Sequence, residues 1–218
     1  LRTPITRMRL RVEFIDQNET RELMFRDLDQ MDRMVRAALS YLRRGPSAER
    51  RELIDIASLL QTICNDFFDL GGDVVYNGPN HLLVHGNSDE IRRAATNLIE
   101  NSLKYAGTRV IVEVTMMGNT TIVIDVIDYG AGIPDDIKDA MLAPFVRGDA
   151  DLAASEGSSG FGLGLAIAKA AAEAHGGKLC LLDSVPAGLV ARLQLPNLAN
   201  LKQPEDDARQ NFLNLVIH

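Results

Sequence analysis

Cysteine is nearly absent: of 218 residues, only Cys64 and Cys180 carry a thiol. Two thiols exclude a disulfide framework and fit a reducing compartment. The opening Leu1-Arg-Thr-Pro has no apolar core behind a basic start, so no secretory signal is expected. No uncharged apolar run approaches the roughly 20 residues that span a bilayer. Positive charge is also short: 23 basic against 30 acidic residues leave −7, which argues against general nucleic-acid binding. What remains, 46% hydrophobic and 24% charged, is an ordinary globular balance that excludes long disorder, collagen and an all-coiled-coil chain.

The charge is unevenly spread. Residues 1–52 hold 12 Arg, no Lys and 9 acids, or +3, whereas residues 53–218 hold 11 basic residues and 21 acids, or −10. Such asymmetry points to segments with different tasks. In the first, Leu1, Ile5, Met8, Val12 and Ile15 are spaced as heptad seam positions, as are Met24, Leu28, Met31, Val35, Ala38 and Leu42. The polar stretch Asp16–Thr20 separates them and Gly45-Pro46-Ser47 ends the second, which predicts an antiparallel helical hairpin. Its seams are narrow, which favours dimerisation into a four-helix bundle over packing onto the same chain. At about 1.5 Å per residue the helices are roughly 24 and 36 Å long. That mismatch leads to the expectation that the natural chain begins upstream of Leu1.

The remainder alternates helical and strand patterns. Helices are expected over residues 54–70 with Asp55 as a possible cap, 87–106 capped by Asn87 or Ser88, 134–142 and 162–175. Strands are expected over residues 74–76, 82–85, 109–116, 121–127, 178–183 and 189–195, the third and fourth paired around Gly118-Asn119. Together these give an α+β fold: a two-layer α/β sandwich with helices on one side of a mixed or antiparallel sheet, preceded by the hairpin. The expected division is 1–46 hairpin, 47–196 sandwich and 197–218 tail. In the tail, Pro204-Glu-Asp-Asp207 starts a short helical pattern carrying Phe212, Leu215 and Val216.

Four segments of the sandwich carry chemistry. In Asn97-Leu-Ile-Glu-Asn-Ser-Leu-Lys-Tyr-Ala106, the residues Asn97, Glu100, Asn101 and Lys104 share one helix face. Asparagine is a poor helix former, and amide oxygen, carboxylate and ammonium together suit a Mg²⁺–phosphate group. In Asp128-Tyr-Gly-Ala-Gly-Ile-Pro134 a carboxylate follows a buried strand and precedes two glycines. That arrangement is either a turn or a close approach to a planar ligand, with Asp128 accepting from an exocyclic amine. The third segment is Pro144-Phe-Val-Arg-Gly148. The fourth, Gly157-Ser-Ser-Gly-Phe-Gly-Leu-Gly-Leu165, leads into a helix, where exposed amides and the helix dipole favour phosphate. A loop this long between them reads as a lid.

In this order, the segments resemble the N, G1, F and G2 boxes of sensor histidine kinases, within the GHKL (Bergerat-type) ATPase superfamily. Leu1-Arg-Thr-Pro-Ile-Thr-Arg-Met-Arg-Leu resembles the remainder of an H box of the EnvZ-like subgroup, and Pro-Phe-Val-Arg-Gly-Asp is similar to that subgroup too. The resemblance covers residues 1 to about 196. It implies a protein-histidine kinase that binds ATP and Mg²⁺, forms a homodimer through the hairpin and hands phosphate to a response-regulator receiver domain. It implies a cytoplasmic catalytic portion of an inner-membrane parent.

The resemblance also implies roles. Asn97 would ligate Mg²⁺ and Glu100 would act as the base on the acceptor imidazole. Asn101 and Lys104 would contact phosphates, and Tyr105 would pack near the adenine. Asp128 would bind the adenine amine, with Gly130, Gly132 and Ile133 shaping the base pocket. Phe145 and Arg147 would belong to the lid. Gly160, Phe161, Gly162, Leu163 and Gly164 would form the phosphate cradle. Thr3 would position water for dephosphorylating the partner. The acceptor histidine is expected two residues before the position of Leu1 and is missing. His81 and His85 flank a strand, His175 sits at a helix C-terminus where capping suits it, and His218 ends the chain. Two alternatives stay open: another GHKL ATPase, and a nucleotide-binding or dimerisation module without autokinase activity.

Overall fold

The computed structural model describes residues 51–148 and 162–197, with scattered positions between Thr6 and Val35. Those scattered positions are helical apart from the turn at Glu13. Val12 and Leu28 are buried together, with Phe25 and Val35 packed against them. One seam residue from each expected helix therefore meets its counterpart. Leu1, Thr3, Ile5, Ile15, Ala38, Leu42, the tail beyond Asn197 and the glycines 157 and 160 lie outside the described residues.

From Arg51 on, the elements run β1 (Glu52–Asp55), α1 (Ile56–Asp69), β2 (Val74–Asn77), β3 (Leu83–Gly86), α2 (Ser88–Ala106), β4 (Val110–Met117), β5 (Thr121–Ile127), α3 (Asp135–Met141), α4 (Gly164–Ala174), β6 (Lys178–Asp183) and β7 (Leu189–Pro196). Five strands form a sheet in the order β2-β4-β5-β7-β6, and β1 pairs with β3 in a separate two-stranded sheet. The β2–β4 pair is parallel and the other pairs of the large sheet are antiparallel. The sheet is mixed, as the sequence led one to expect. β4 and β5 meet as Met117↔Thr121 across a turn in which Gly118 adopts φ +61°.

Alternation sets the layers. Val110, Val112 and Val114 of β4 are buried, as are Ile122, Ile124 and Val126 of β5 and Ala191, Leu193 and Leu195 of β7. These inner positions meet helices whose apolar residues recur at helical spacing. α1 contributes Ile56, Leu60, Ile63 and Cys64; α2 contributes Ile91, Ala94, Ala95, Leu98 and Ile99; α4 contributes Ala166, Ala168 and Ala172. The small alanines let α2 and α4 lie close along their lengths. Truncating a side chain such as Leu98 there costs about 2–5 kcal/mol.

Caps fix where these helices start. Asn87 Oδ1 accepts from the amides of Asp89 and Glu90 at 3.0 and 3.1 Å. The Asn87 amide in turn donates to His175 Nε2 at 3.0 Å, and His175 Nδ1 lies 2.7 Å from the Ala171 carbonyl. His175, the C-cap of α4, is thus the Nδ1–H tautomer and ties the end of α4 to the start of α2. Asp55 Oδ1 accepts from Ser58 N at 3.4 Å and from Leu82 N at 3.0 Å, and Oδ2 lies 2.7 Å from His81 Nδ1. These bonds hold its carboxyl well below the ordinary carboxylate range, the Leu82 amide contributing most. They also correct one sequence expectation. The helix is expected to begin at Ile54, but capping at Asp55 delays it to Ile56, and 52–55 pair with β3 instead.

Candidate nucleotide site

Burial of one face of α2 dictates what the other presents. With Ile91, Leu98, Ile99 and Ser102 packed inward, the residues Asn97, Glu100, Asn101 and Lys104 face a cavity of about 540 Å³. That size lies within the roughly 300–1,000 Å³ of small-molecule sites. Asn97 Nδ2 donates to the Arg93 carbonyl at 2.7 Å, which turns its amide oxygen to the remaining space. Partial desolvation in the cavity pushes the Glu100 carboxyl above its ordinary value, although the side chain keeps access to solvent. Lys104 Nζ donates to the Tyr105 hydroxyl at 2.7 Å and stands 4.4 Å from its ring centre. Both residues line the cavity mouth.

The opposite wall begins where β5 ends. Asp128 is buried, and its Oδ1 accepts from the amides of Gly130 and Leu189, both at 3.1 Å. Its own amide donates to the Leu189 carbonyl at 2.9 Å. Two backbone donors hold one oxygen and so fix the orientation of the carboxylate, whose other oxygen has no hydrogen-bond partner among the described residues. Gly188 makes this seat: at φ +118°, an added Cβ would lie 2.1 Å from the Asp128 carbonyl oxygen. Gly130 and Gly132 then pass close to Ala106 and Gly188, where side chains would collide. Ile133, Ile137 and Met141 close the apolar side. Lys138 anchors α3 below them, 2.5 Å from Asp135 Oδ1 and 2.6 Å from Asp183 Oδ1. These two carboxylates push the Lys138 ammonium above its ordinary pKa.

The third wall is the start of α4. A Cβ on Gly164 would meet Asn101 Nδ2 at 3.0 Å and Asn97 Oδ1 at 3.3 Å, so the first turn of α4 lies directly against the asparagine face of α2. Gly162, at φ +65°, has its Cβ position 2.4 Å from the Val146 carbonyl, and the Phe145 amide donates to the Gly162 carbonyl at 2.8 Å. The two ends of the long 149–161 stretch are therefore joined. Phe145 itself adopts φ +66° and points outward, being 55% exposed.

Of the residues singled out in the sequence, Asn97, Glu100, Asn101, Lys104, Tyr105, Asp128, Gly130, Gly132, Ile133, Gly162, Leu163 and Gly164 come together around one cavity. Phe145 and Arg147 are not among its lining residues, while the adjacent Val146 and Gly148 are. Thr3, Gly160 and Phe161 lie outside the described residues. Sequence reading missed Leu189 and Ala191 of β7 and Met141 of α3. β7 reaches the site only through its register with β5, Val190 opposite Ile127, and no local pattern encodes that. Among the described residues no group of three or more His, Cys, Asp or Glu is placed to hold a metal ion. A cation here fits Mg²⁺ chemistry, with one or two protein oxygens and a shell completed by phosphate and water. Asn97 Oδ1 is such an oxygen.

A model of the family described as histidine kinase-, DNA gyrase B-, and HSP90-like ATPase matches residues 86–199. The sensor histidine kinase GtrS of Pseudomonas aeruginosa is 34% identical over 198 residues, covering 91% of this chain and 40% of the relative. The sensor protein SphS of Synechococcus elongatus is 32% identical over 221 residues, covering 92% and 53%. The chain thus spans about half the length of these curated relatives. Among solved structures, a mycobacterial sensor histidine kinase, MprB, superposes with a TM-score of 0.58 at 25% identity, covering 67% of this chain and 97% of that one. The histidine kinase domain of the E. coli osmosensor EnvZ does so with 0.52 at 28% identity, covering 67% and 88%.

Proposed function

Because the chain belongs to the histidine kinase-, DNA gyrase B- and HSP90-like ATPase family, we propose that it binds ATP and Mg²⁺ between α2, Asp128 and α4 and transfers the γ-phosphoryl group to a histidine. The acceptor is none of the four histidines of this sequence. His81 and His85 lie beside or within β3, His175 is locked between two helices, and His218 lies outside the described residues. From the phosphohistidine the group passes to an aspartate of a response-regulator receiver domain.

In this reading Asp128 accepts from the adenine amine with the oxygen not held by backbone amides. Gly130, Gly132 and Ile133 form the base pocket and Tyr105 packs at its edge. Gly160, Phe161, Gly162, Leu163 and Gly164 bring the chain and the N-terminus of α4 to the phosphates, while Asn101 and Lys104 contact them from α2. Asn97 Oδ1 would hold Mg²⁺, which would supply charge neutralisation at the phosphates. Phe145 and Arg147 belong to the lid that excludes water. The imidazole nitrogen attacks phosphorus, the bond to the β–γ bridging oxygen breaks, ADP leaves, and Glu100 takes the imidazole proton. Its raised pKa suits that task. Thr3 positions water for dephosphorylating the regulator.

The domains divide as 1–46, 47–196 and 197–218, and the first forms the dimer. Seam residues Met8, Met24 and Met31 remain 47%, 41% and 48% exposed, which a second hairpin would cover. No helix among the described residues is long and apolar enough to cross a membrane. The observation that carries the reading is the convergence of the oriented Asp128, the asparagine face of α2 and the start of α4 on one cavity. Its test is a transfer assay: γ-labelled ATP, Mg²⁺, this chain and a separate hairpin bearing a histidine at the H-box position. Label on that hairpin is expected. A chain that binds nucleotide and never labels it is instead the nucleotide-binding module without kinase activity.

A further inference from the structure

The three helices cover one face of the large sheet, so the other needs its own account. The register places Val75, Ile111, Ile127, Val190 and Leu182 opposite one another in a single row, one residue from each of the five strands. All five point away from the helices, and Val75 and Leu182 at the two edges are 41% and 38% exposed. The next row on the same face is polar: Asn77, Glu113, Asp125, Arg192 and Cys180. There Asn77 donates to Glu113 at 2.8 Å, and Arg192 makes a two-pronged pair with Asp125 at 2.8 and 2.7 Å. A row of self-satisfied polar groups needs no cover. An unbroken apolar row beside it, across a whole sheet, is unusual on a face left to water.

The chain carries its own candidate to cover it. β7 ends at Pro196, and the Asn197 amide donates to the Thr120 carbonyl at 2.7 Å, so residues 198–218 leave from this sheet. Within them Ala208, Phe212, Leu215 and Val216 fall on one helical stripe, behind the start signal Pro204-Glu-Asp-Asp207. The lengths agree. Five strands about 4.8 Å apart span roughly 19 Å, and a helix over 205–217 spans about 20 Å. From Pro196 back to Val190 is about 20 Å of strand, within the roughly 26 Å reach of residues 197–204.

We propose that the segment 205–217 lies across the open face of the five-stranded sheet, with Ala208, Phe212, Leu215 and Val216 seated on the row Val75–Ile111–Ile127–Val190–Leu182. The row adjoins the nucleotide cavity from behind, since Ile127 precedes Asp128 and Val190 follows Leu189. The tail would thus brace the two strand ends that hold the Asp128 carboxylate.

Cys180 is a built-in reporter, because it is partly exposed and sits on the open face one row from the band. Its alkylation rate is measured in the full chain and in the full chain carrying Phe212→Glu and Leu215→Glu, with the buried Cys64 reporting that the fold is intact. Release of the tail should speed Cys180 labelling by about tenfold and leave Cys64 unlabelled. In the reciprocal experiment, Leu182→Glu should expose Arg209 to trypsin at a similarly increased rate. Equal Cys180 rates in both chains, or unchanged cleavage at Arg209, overturn the proposal. Protection that appears only as protein concentration rises also overturns it, and assigns the face to a second copy.

Discussion

Gly188 supports Asp128 by leaving room for it, and replacing it with alanine puts a number on that support. Its φ of +118° is one an L-residue adopts with strain, and the new Cβ would lie 2.1 Å from Asp128 O, 2.7 Å from Tyr129 Cα and 2.8 Å from Asp128 C. All three are backbone atoms, so no side chain can swing aside. The left-handed conformation costs about 1–2 kcal/mol and the overlap about 1–3 kcal/mol, together about 2–5 kcal/mol. The two effects can be separated with Gly118→Ala, where φ is +61° and the Cβ meets nothing within 4 Å; only the first cost applies there. The sequence has no Trp, so unfolding in urea is followed by circular dichroism. Gly188→Ala should lower stability by about 2–5 kcal/mol, equivalent to roughly 5–15 °C in melting temperature, against about 1–2 kcal/mol for Gly118→Ala. Because Leu189 bonds Asp128 through both its N–H and its carbonyl, nucleotide affinity should also fall about tenfold or more, with or without Mg²⁺. A stability loss under about 0.5 kcal/mol with unchanged affinity would refute the inferred seat of Asp128.

Asp55→Ala removes the cap of α1 and the bond from Leu82, and should cost about 1–3 kcal/mol at pH 7. Since the folded carboxyl titrates below its unfolded value, that contribution is present above about pH 4 and is lost as pH falls below it, which acid-limb denaturation curves will show. Lys138→Met should loosen α3 and raise the nucleotide dissociation constant. The ammonium's raised folded pKa means that its stabilisation is complete below about pH 10.4 and disappears as pH rises beyond it, so wild type and variant should converge in stability in strong base. Met31→Lys should shift the proposed hairpin dimer toward monomer in sedimentation equilibrium, without changing the melting of the sandwich.

Local chemistry was legible in the sequence. Asn87 and Asp55 as caps, the Gly118 turn and the common face of Asn97, Glu100, Asn101 and Lys104 all follow from neighbours within a few residues, and the structure has each of them. What depended on register was not legible. β2 and β3 read as two similar short strands, yet one joins the large sheet and the other pairs with β1. Which sheet a four-residue strand enters is decided by packing, not by its own pattern. Leu189 and Gly188 belong to the site only because β7 lies beside β5. The outward Phe145 is explained by its positive φ, imposed where its amide bonds Gly162, a constraint from residues far along the chain.

The central claim is that Asp128 reads the base while Asn97 holds a metal at the phosphates. Titrating ATP into wild type, Asn97→Ala and Asp128→Ala, each with and without Mg²⁺, tests it most directly. Asp128→Ala should lose about tenfold or more in affinity under both conditions, whereas Asn97→Ala should lose that much only when Mg²⁺ is present. Equal losses that ignore the metal in both variants would contradict the assignment.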